Sequence, residues 1–210
     1  IVNPLGEDTS VMRTSIIPSV LDVLSFNYNN RNEKACLFEI SKEYLPASEE
    51  KPFINGNILA NSGKEKHRYS YSLPDEPQRL TVGMYGGEAD FYALKGMIEQ
   101  LLGEMKIDGY EYIRAVDSDA FDEKFAFHPG RSAVIMRDGK ALGILGEIHP
   151  EVQETYGIGV KTYVAKLNIP ELMESAAGKI TYQPLPKFPA TTRDLSVICD
   201  DEIPVAELEK

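Results

Sequence analysis

Few side chains in this sequence combine reactive chemistry with a telling position. Glu39 is a carboxylate set into an apolar run, Ala35-Cys36-Leu37-Phe38-Glu39-Ile40. Pattern alone reads it equally as the wet face of an edge strand or as a functional group held by the sheet. His128 and His149 each precede a proline at the outer ends of a hairpin, with Glu147 as the nearby third candidate for a metal. No H-x-x-x-H and no acidic pair at metal spacing accompanies them, which argues against zinc. Arg131 follows Pro129-Gly130, where it can hold an anion through its side chain and the turn amides, or simply pair with a carboxylate. The sequence carries no G-x-x-x-x-G-K, G-x-G-x-x-G, G-x-S-x-G or H-E-x-x-H, so these phosphate-binding, hydrolase and zinc-protease chemistries lack their motif.

The elements that must position these groups read as follows. Residues 12–46 predict a helix and then a buried strand. Ser15 is placed to cap the helix and Pro18 sits in its first turn. Val20, Leu21, Val23, Leu24 and Tyr28 give its apolar stripe, and Asn27, Asn29, Asn30 and Asn32 end it. Strands are expected at Asn55–Asn61 and Leu80–Tyr85, joined by a polar loop over residues 62–79. That loop interleaves Lys64, Lys66, Arg68 and Arg79 with Tyr69 and Tyr71, a diluted version of an RNA-contacting pattern. Asp90 caps a second helix whose core face is Leu94, Met97, Ile98, Leu101, Leu102 and Met105. Asp138-Gly139 marks a hairpin between Ala133–Met136 and Ala141–Gly146. A short helix over 150–156 stopped by Gly157, a strand over 162–167, a helix over 170–177 and a last strand at Asp194–Cys199 complete the chain. Hairpin-linked strands outnumber helices, so the expected class is α+β.

Composition bounds the partners. The 210 residues carry 42% hydrophobic and 26% charged side chains, ordinary values for a globular chain. No apolar run approaches the roughly 20 residues a membrane helix needs. The net charge of −11 argues against strong, independent nucleic-acid binding, which needs a basic face. Cys36 and Cys199 are expected as buried, reduced thiols. The opening Ile1-Val2-Asn3-Pro4 and the helical pattern that breaks off at Lys210 read as an excised fragment.

An ordered series of short motifs carries a resemblance. It runs through Asn3-Pro4-Leu5, Met12-Arg13-Thr14-Ser15, Leu37-Phe38-Glu39-Ile40, Asp90-Phe91 with Leu94-Lys95-Gly96, and Phe127-His128-Pro129-Gly130-Arg131-Ser132-Ala133. It continues through Gly143-x-x-Gly146-Glu147-Ile148-His149-Pro150 and Pro189-x-x-x-Arg193-Asp194-Leu195-Ser196. Together these resemble the core domain of the phenylalanyl-tRNA synthetase β-subunit family, over nearly the whole chain. The helix and strand at residues 12–46 look like a class II aminoacyl-tRNA synthetase core. In that core an arginine after the strand clamps the ATP α-phosphate and the amino-acid carboxylate, a task suited to its planar fork. Here Leu45-Pro46 occupy that place. Gly157-Ile158-Gly159-Val160 is the nearest approach to the third class II motif, but Lys161-Thr162 follow it instead of Asp-Arg. Lys166 stands where an acidic residue is expected.

The resemblance implies a class II-like antiparallel β-sheet flanked by helices over residues 1–186, and the start of a ferredoxin-like anticodon-binding domain over 187–210. It implies a cytoplasmic, non-membrane (αβ)₂ heterotetramer in which a separate α subunit uses ATP and magnesium and the assembly binds tRNA. On this reading the chain has no catalytic, cofactor or metal residues of its own. Arg13, Glu39, His128, Arg131 and Glu147 are the candidates for a vestigial pocket, and the bared partner surface offers the isolated fragment a route to self-association. Two alternatives remain open: a self-sufficient class II-like adenylating enzyme with Arg13 or Arg131 as the clamp, and an independent RNA-binding module.

Overall fold

A computed structural model describes residues 3–7, 10–46, 74–176, 185, 187–188, 190–200, 203 and 205–208. Two compact units divide the chain, Ile1–Gly178 and Lys179–Lys210. The strand expected at Asn55–Asn61 and the loop residues Lys64, Lys66, Arg68, Tyr69 and Tyr71 lie outside the described residues.

The first unit is built on one six-stranded sheet. Its strands are β1 (Ala35–Lys42), β2 (Gln78–Tyr85), β3 (Glu111–Arg114), β4 (Phe127–Arg137), β5 (Lys140–Ile148) and β6 (Thr162–Asn168), in the spatial order β1-β2-β6-β5-β4-β3. Every neighbouring pair is antiparallel. The hairpin turn is as the Asp-Gly pair predicts: Asp138 and Gly139 have φ of 48° and 76°, the left-handed pair a two-residue hairpin needs.

Helices cover both faces. On one face α1 (Ile17–Asn29) buries Ile17, Val20, Leu21 and Leu24 against Tyr85, Val134, Ile144 and Val164. On the other, α2 (Phe91–Glu104) and α4 (Ile169–Ser175) bury Leu94, Ile98, Leu102 and Leu172 against Ile135, Leu145, Ala165 and Leu167. The strand alternation explains the split, because successive side chains point to opposite faces. The helix α3 (Pro150–Thr155) lies between β5 and β6 in the chain and ends before Gly157, which has a φ of 66°. A Cβ on Gly83 would lie 2.6 Å from Val20 Cγ1, so the missing side chain is what lets α1 sit down on β2.

Several expectations change. Ser15 is not the N-cap of α1: the cap position is Ile16, with no side-chain cap bond, and Ser15 Oγ accepts from Ile17 N at 3.3 Å. Asn27 lies within α1, and the amides of Asn27 and Asn30 bond back to the carbonyls of Val23 and Phe26. Val23 is exposed, and so is Met97 at 37%, because each sits at the rim of its helix's apolar stripe. The strand β1 is an edge strand whose faces alternate. Phe38 is 71% and Ile40 55% exposed, while Glu39 turns toward the α1 side. Cys36 shares the open face, so neither cysteine is buried as expected: Cys36 and Cys199 are both free and exposed. Arg79 belongs to β2 rather than to the preceding loop.

In the second unit, residues 190–200 form no strand, so the expected Asp194–Cys199 strand is absent among the described residues. The described part ends in a short α5 (Val205–Leu208).

Candidate functional site

The densest polar arrangement lies at the end of β1, on the α1 face of the sheet. The chain leaves β1 through Glu43, Tyr44 and Leu45. Backbone bonds fix this exit: Glu43 N donates to Pro77 O at 3.1 Å, Tyr44 N to Arg13 O at 2.9 Å, and Leu45 N to Asp75 O at 2.9 Å. Leu45, where the clamping arginine was sought, is therefore part of a backbone bridge with Asp75.

Glu43 is the hub. Its Oε2 accepts from Arg79 Nε at 2.9 Å, and its Oε1 accepts from Lys166 Nζ at 3.0 Å and from the Ile16 backbone N–H at 3.1 Å. Lys166 Nζ also donates to Glu123 Oε1 and lies 5.4 Å from the centre of the Phe121 ring. The side chains of Lys166 and Glu43 are only 3% and 2% exposed. Charges taken this far from water need partners, and each carboxylate in the chain Arg79–Glu43–Lys166–Glu123 has a cation beside it. Burial pushes the Glu123 carboxyl up, but the Lys166 hydrogen bond and charge, with help from its backbone and the Ser15 hydroxyl, hold it below the usual carboxylate range. Thr81 Oγ1 and Ser41 Oγ are buried beside this chain without a hydrogen-bond partner among the described residues.

Arg13 and Glu39 come together next to it. Arg13 Nη2 donates to Glu39 Oε1 at 3.1 Å, Nη1 to Ser19 Oγ at 3.3 Å, and Nε to the Lys42 carbonyl at 3.1 Å. The guanidinium is thus committed to tying the entry segment to β1 and α1.

Arg131 and Glu147 form a second pair, on the opposite face. The register shows this directly: Glu39 aligns with Thr81, Lys166 and Ile144, whereas Glu147 aligns with Tyr163 and Met84. Arg131 Nη1 donates to both Glu147 oxygens, at 2.9 and 3.2 Å, and Lys161 Nζ stands 4.0 Å off. Burial, with the Glu147 and Asp90 charges behind it, pushes the Tyr163 hydroxyl up. His128 Nδ1 accepts from Gly130 N at 3.1 Å, and His149 Nδ1 accepts from Glu151 N at 3.3 Å at the start of α3. Among the described residues, no three His, Cys, Asp or Glu side chains are grouped to hold a metal ion. The five candidates therefore do not line one pocket: they form two ion pairs on opposite faces and one histidine that shapes a turn.

The Gly157-Ile158-Gly159-Val160 run borders an open groove of about 470 Å³ together with Tyr28 and Lys161. Its second glycine has a packing reason, since a Cβ there would lie 2.7 Å from Tyr28 Oη. Sequence reasoning missed Glu43 and Glu123 altogether and read Arg79 as a cation of an RNA-contacting loop rather than as a partner of Glu43. Lys166 gave a signal only as a lysine standing where the resemblance expects an acidic residue; the structure places it in a strand buried along its whole length.

Comparison with known proteins agrees with the motif series. The model of the phenylalanyl-tRNA synthetase beta chain CLM domain matches residues 1–169. The phenylalanine–tRNA ligase beta subunit of Clostridium tetani is 39% identical over 209 residues, covering 100% of this chain and 23% of that subunit. The corresponding subunit of Symbiobacterium thermophilum is 34% identical over 220 residues, covering 100% of this chain and 22% of its own length. The chain thus spans less than a quarter of the length of these relatives. Among solved structures, the pyrrolysyl-tRNA synthetase of Desulfitobacterium hafniense superposes with a TM-score of 0.51 at 14% identity, over 81% of this chain and 55% of that one. The shared architecture is the class II synthetase sheet with its flanking helices.

Proposed function

The chain belongs to the phenylalanyl-tRNA synthetase β-chain family, and from that premise we propose that it is a non-catalytic core. It packs against the catalytic α subunit and helps the assembly hold tRNA during phenylalanyl-tRNA synthesis. One observation carries the reading: where the class II fold would present a free guanidinium to ATP, this chain has Leu45 in a backbone bridge and Arg79 and Lys166 neutralised by a buried carboxylate. A nucleotide triphosphate needs unsatisfied cations or donors preorganised toward its charge. Arg13 and Arg131, the alternative clamps, are each engaged by a carboxylate of this same chain.

On this reading ATP and magnesium are used by the α subunit, the assembly is a cytoplasmic (αβ)₂ heterotetramer, and residues 187–210 begin a ferredoxin-like anticodon-binding domain that follows a core over 1–186. The net charge of −11 makes tRNA a ligand of the assembly rather than of this chain alone.

The test is light scattering of the chain mixed with the matching α subunit, followed by ATP- and phenylalanine-dependent pyrophosphate exchange. We expect a hetero-complex, and exchange only where the α subunit is present. Exchange by the chain alone would overturn the non-catalytic reading, and two species that stay separate would overturn the packing.

A further inference from the structure

We propose that Glu43 is an internal ligand closing an anion seat that the chain itself builds, and that a small carboxylate or phosphate anion takes the seat once the Glu43 side chain is removed. Three donors from three separate elements converge on this one carboxylate: Lys166 Nζ of β6, Arg79 Nε of β2 and the Ile16 backbone N–H. Ile16 is the N-cap residue of the 13-residue α1, so the helix directs its positive end at the same oxygens. The seat is dry, because the Glu43 and Lys166 side chains are almost wholly buried. Low exposure strengthens each of these attractions relative to water.

A fourth polar group lies on the same face of the sheet. Thr81 is aligned with Lys166 across β2 and β6, is fully buried, and its hydroxyl has no partner among the described residues.

The charges define the class of ligand. Among the described residues, Arg79 and Lys166 without Glu43 are left with the Glu123 carboxylate alone, bound to Lys166 Nζ. One positive charge is left over, so one monoanion restores neutrality. Formate and acetate reproduce the lost carboxylate's planar fork, and dihydrogen phosphate carries the same charge with a tetrahedral shape. In the unaltered chain Glu43 fills the seat, so free anions have no place there. This follows from the geometry of the chain by itself and does not depend on whether an α subunit binds.

The experiment compares thermal unfolding of the unaltered chain, Glu43→Ala and Glu43→Gln in sodium formate, sodium phosphate and sodium chloride at matched ionic strength. The Glu43→Ala midpoint is expected to rise saturably in formate, by about 3–6 °C at ten times the dissociation constant, relative to chloride. Glu43→Gln fills the same volume with an amide, so it and the unaltered chain should respond to formate no more than to chloride. Equal responses of Glu43→Ala to formate and chloride would overturn the proposal, as would an equal formate response in all three proteins. Should Glu43→Ala fail to fold in chloride, its folding in formate supports the seat, and failure in formate and phosphate as well overturns it.

Discussion

Glu43 and Lys166 are 123 residues apart in the chain and 3.0 Å apart in the fold. Lys166 ties two carboxylates at once, Glu43 beyond the end of β1 and Glu123 in the 3-10 turn before β4. Removing the lysine leaves a fully buried carboxylate short of one of its two cations and Glu123 without its cation. Lys166→Ala should therefore cost about 3–5 kcal/mol of unfolding free energy, read from urea denaturation. In a double-mutant cycle with Glu43→Gln the two losses should add to less than their sum. Strict additivity would mean that the contact carries no coupling.

The pH dependence follows from Glu123. Its folded carboxyl titrates below its ordinary value: burial is the largest single influence and raises it, but the Lys166 hydrogen bond and charge, with the backbone and Ser15 hydrogen bonds, together outweigh that cost. Its contribution is therefore present above the unfolded carboxylate pKa of about 4.3 and is lost as the pH falls through the lower folded value. Denaturation midpoints should drop on acidification across that window, and Lys166→Met should flatten the drop. An unchanged acid slope in Lys166→Met would rule out Glu123 as its source.

The contact between α1 and β2 is tight at Gly83. A methyl there would fall 2.6 Å from Val20 Cγ1 and 2.9 Å from Leu24 Cδ1. Gly83→Ala should destabilise by about 1–3 kcal/mol through overpacking. Combining it with Val20→Ala should return part of that loss, measured by the same denaturation series.

Burial separates two apolar positions on neighbouring elements. Leu24 is fully buried in α1, whereas Phe38 on β1 is 71% exposed. Leu24→Ala should cost about 2–5 kcal/mol, while Phe38→Ser should stay within about 0.5 kcal/mol in the isolated chain. A large loss for Phe38→Ser would show that this face is covered in solution.

The cap of α2 is a local device. Asp90 Oδ1 accepts from Ala93 N at 2.6 Å. Asp90→Ala should cost about 1 kcal/mol and Asp90→Ser much less, read from thermal or urea midpoints.

Much of the fold was legible because its signals are local. The α2 cap, the Asp138-Gly139 turn, the helix stop at Gly157 and the apolar run Tyr163-Val164-Ala165 in β6 each depend on residues a few positions apart. Where local reading failed, the deciding neighbour was distant. Met97 follows the apolar spacing of α2 yet sits at the rim of what the sheet covers. Cys36 lies in an apolar strand yet faces outward, because β1 is the sheet's edge and, among the described residues, no helix covers its outer face. Arg131 was legible as a turn arginine in need of a carboxylate, and Glu147, 16 residues on, supplies it across the hairpin.

The sequence by itself determined the α+β class, the position of most helices and strands, and, through an ordered set of short motifs, the family. Periodicity and turn chemistry act over a few residues, and motif order survives without coordinates. Only the tertiary structure decided that β6 lies between β2 and β5, and so which cations meet which carboxylates. Arg79, Glu43, Lys166 and Glu123 have no periodic relation to one another. Their pairing arises because the sheet register sets β2 against β6 and burial removes the water that would otherwise have solvated each charge separately.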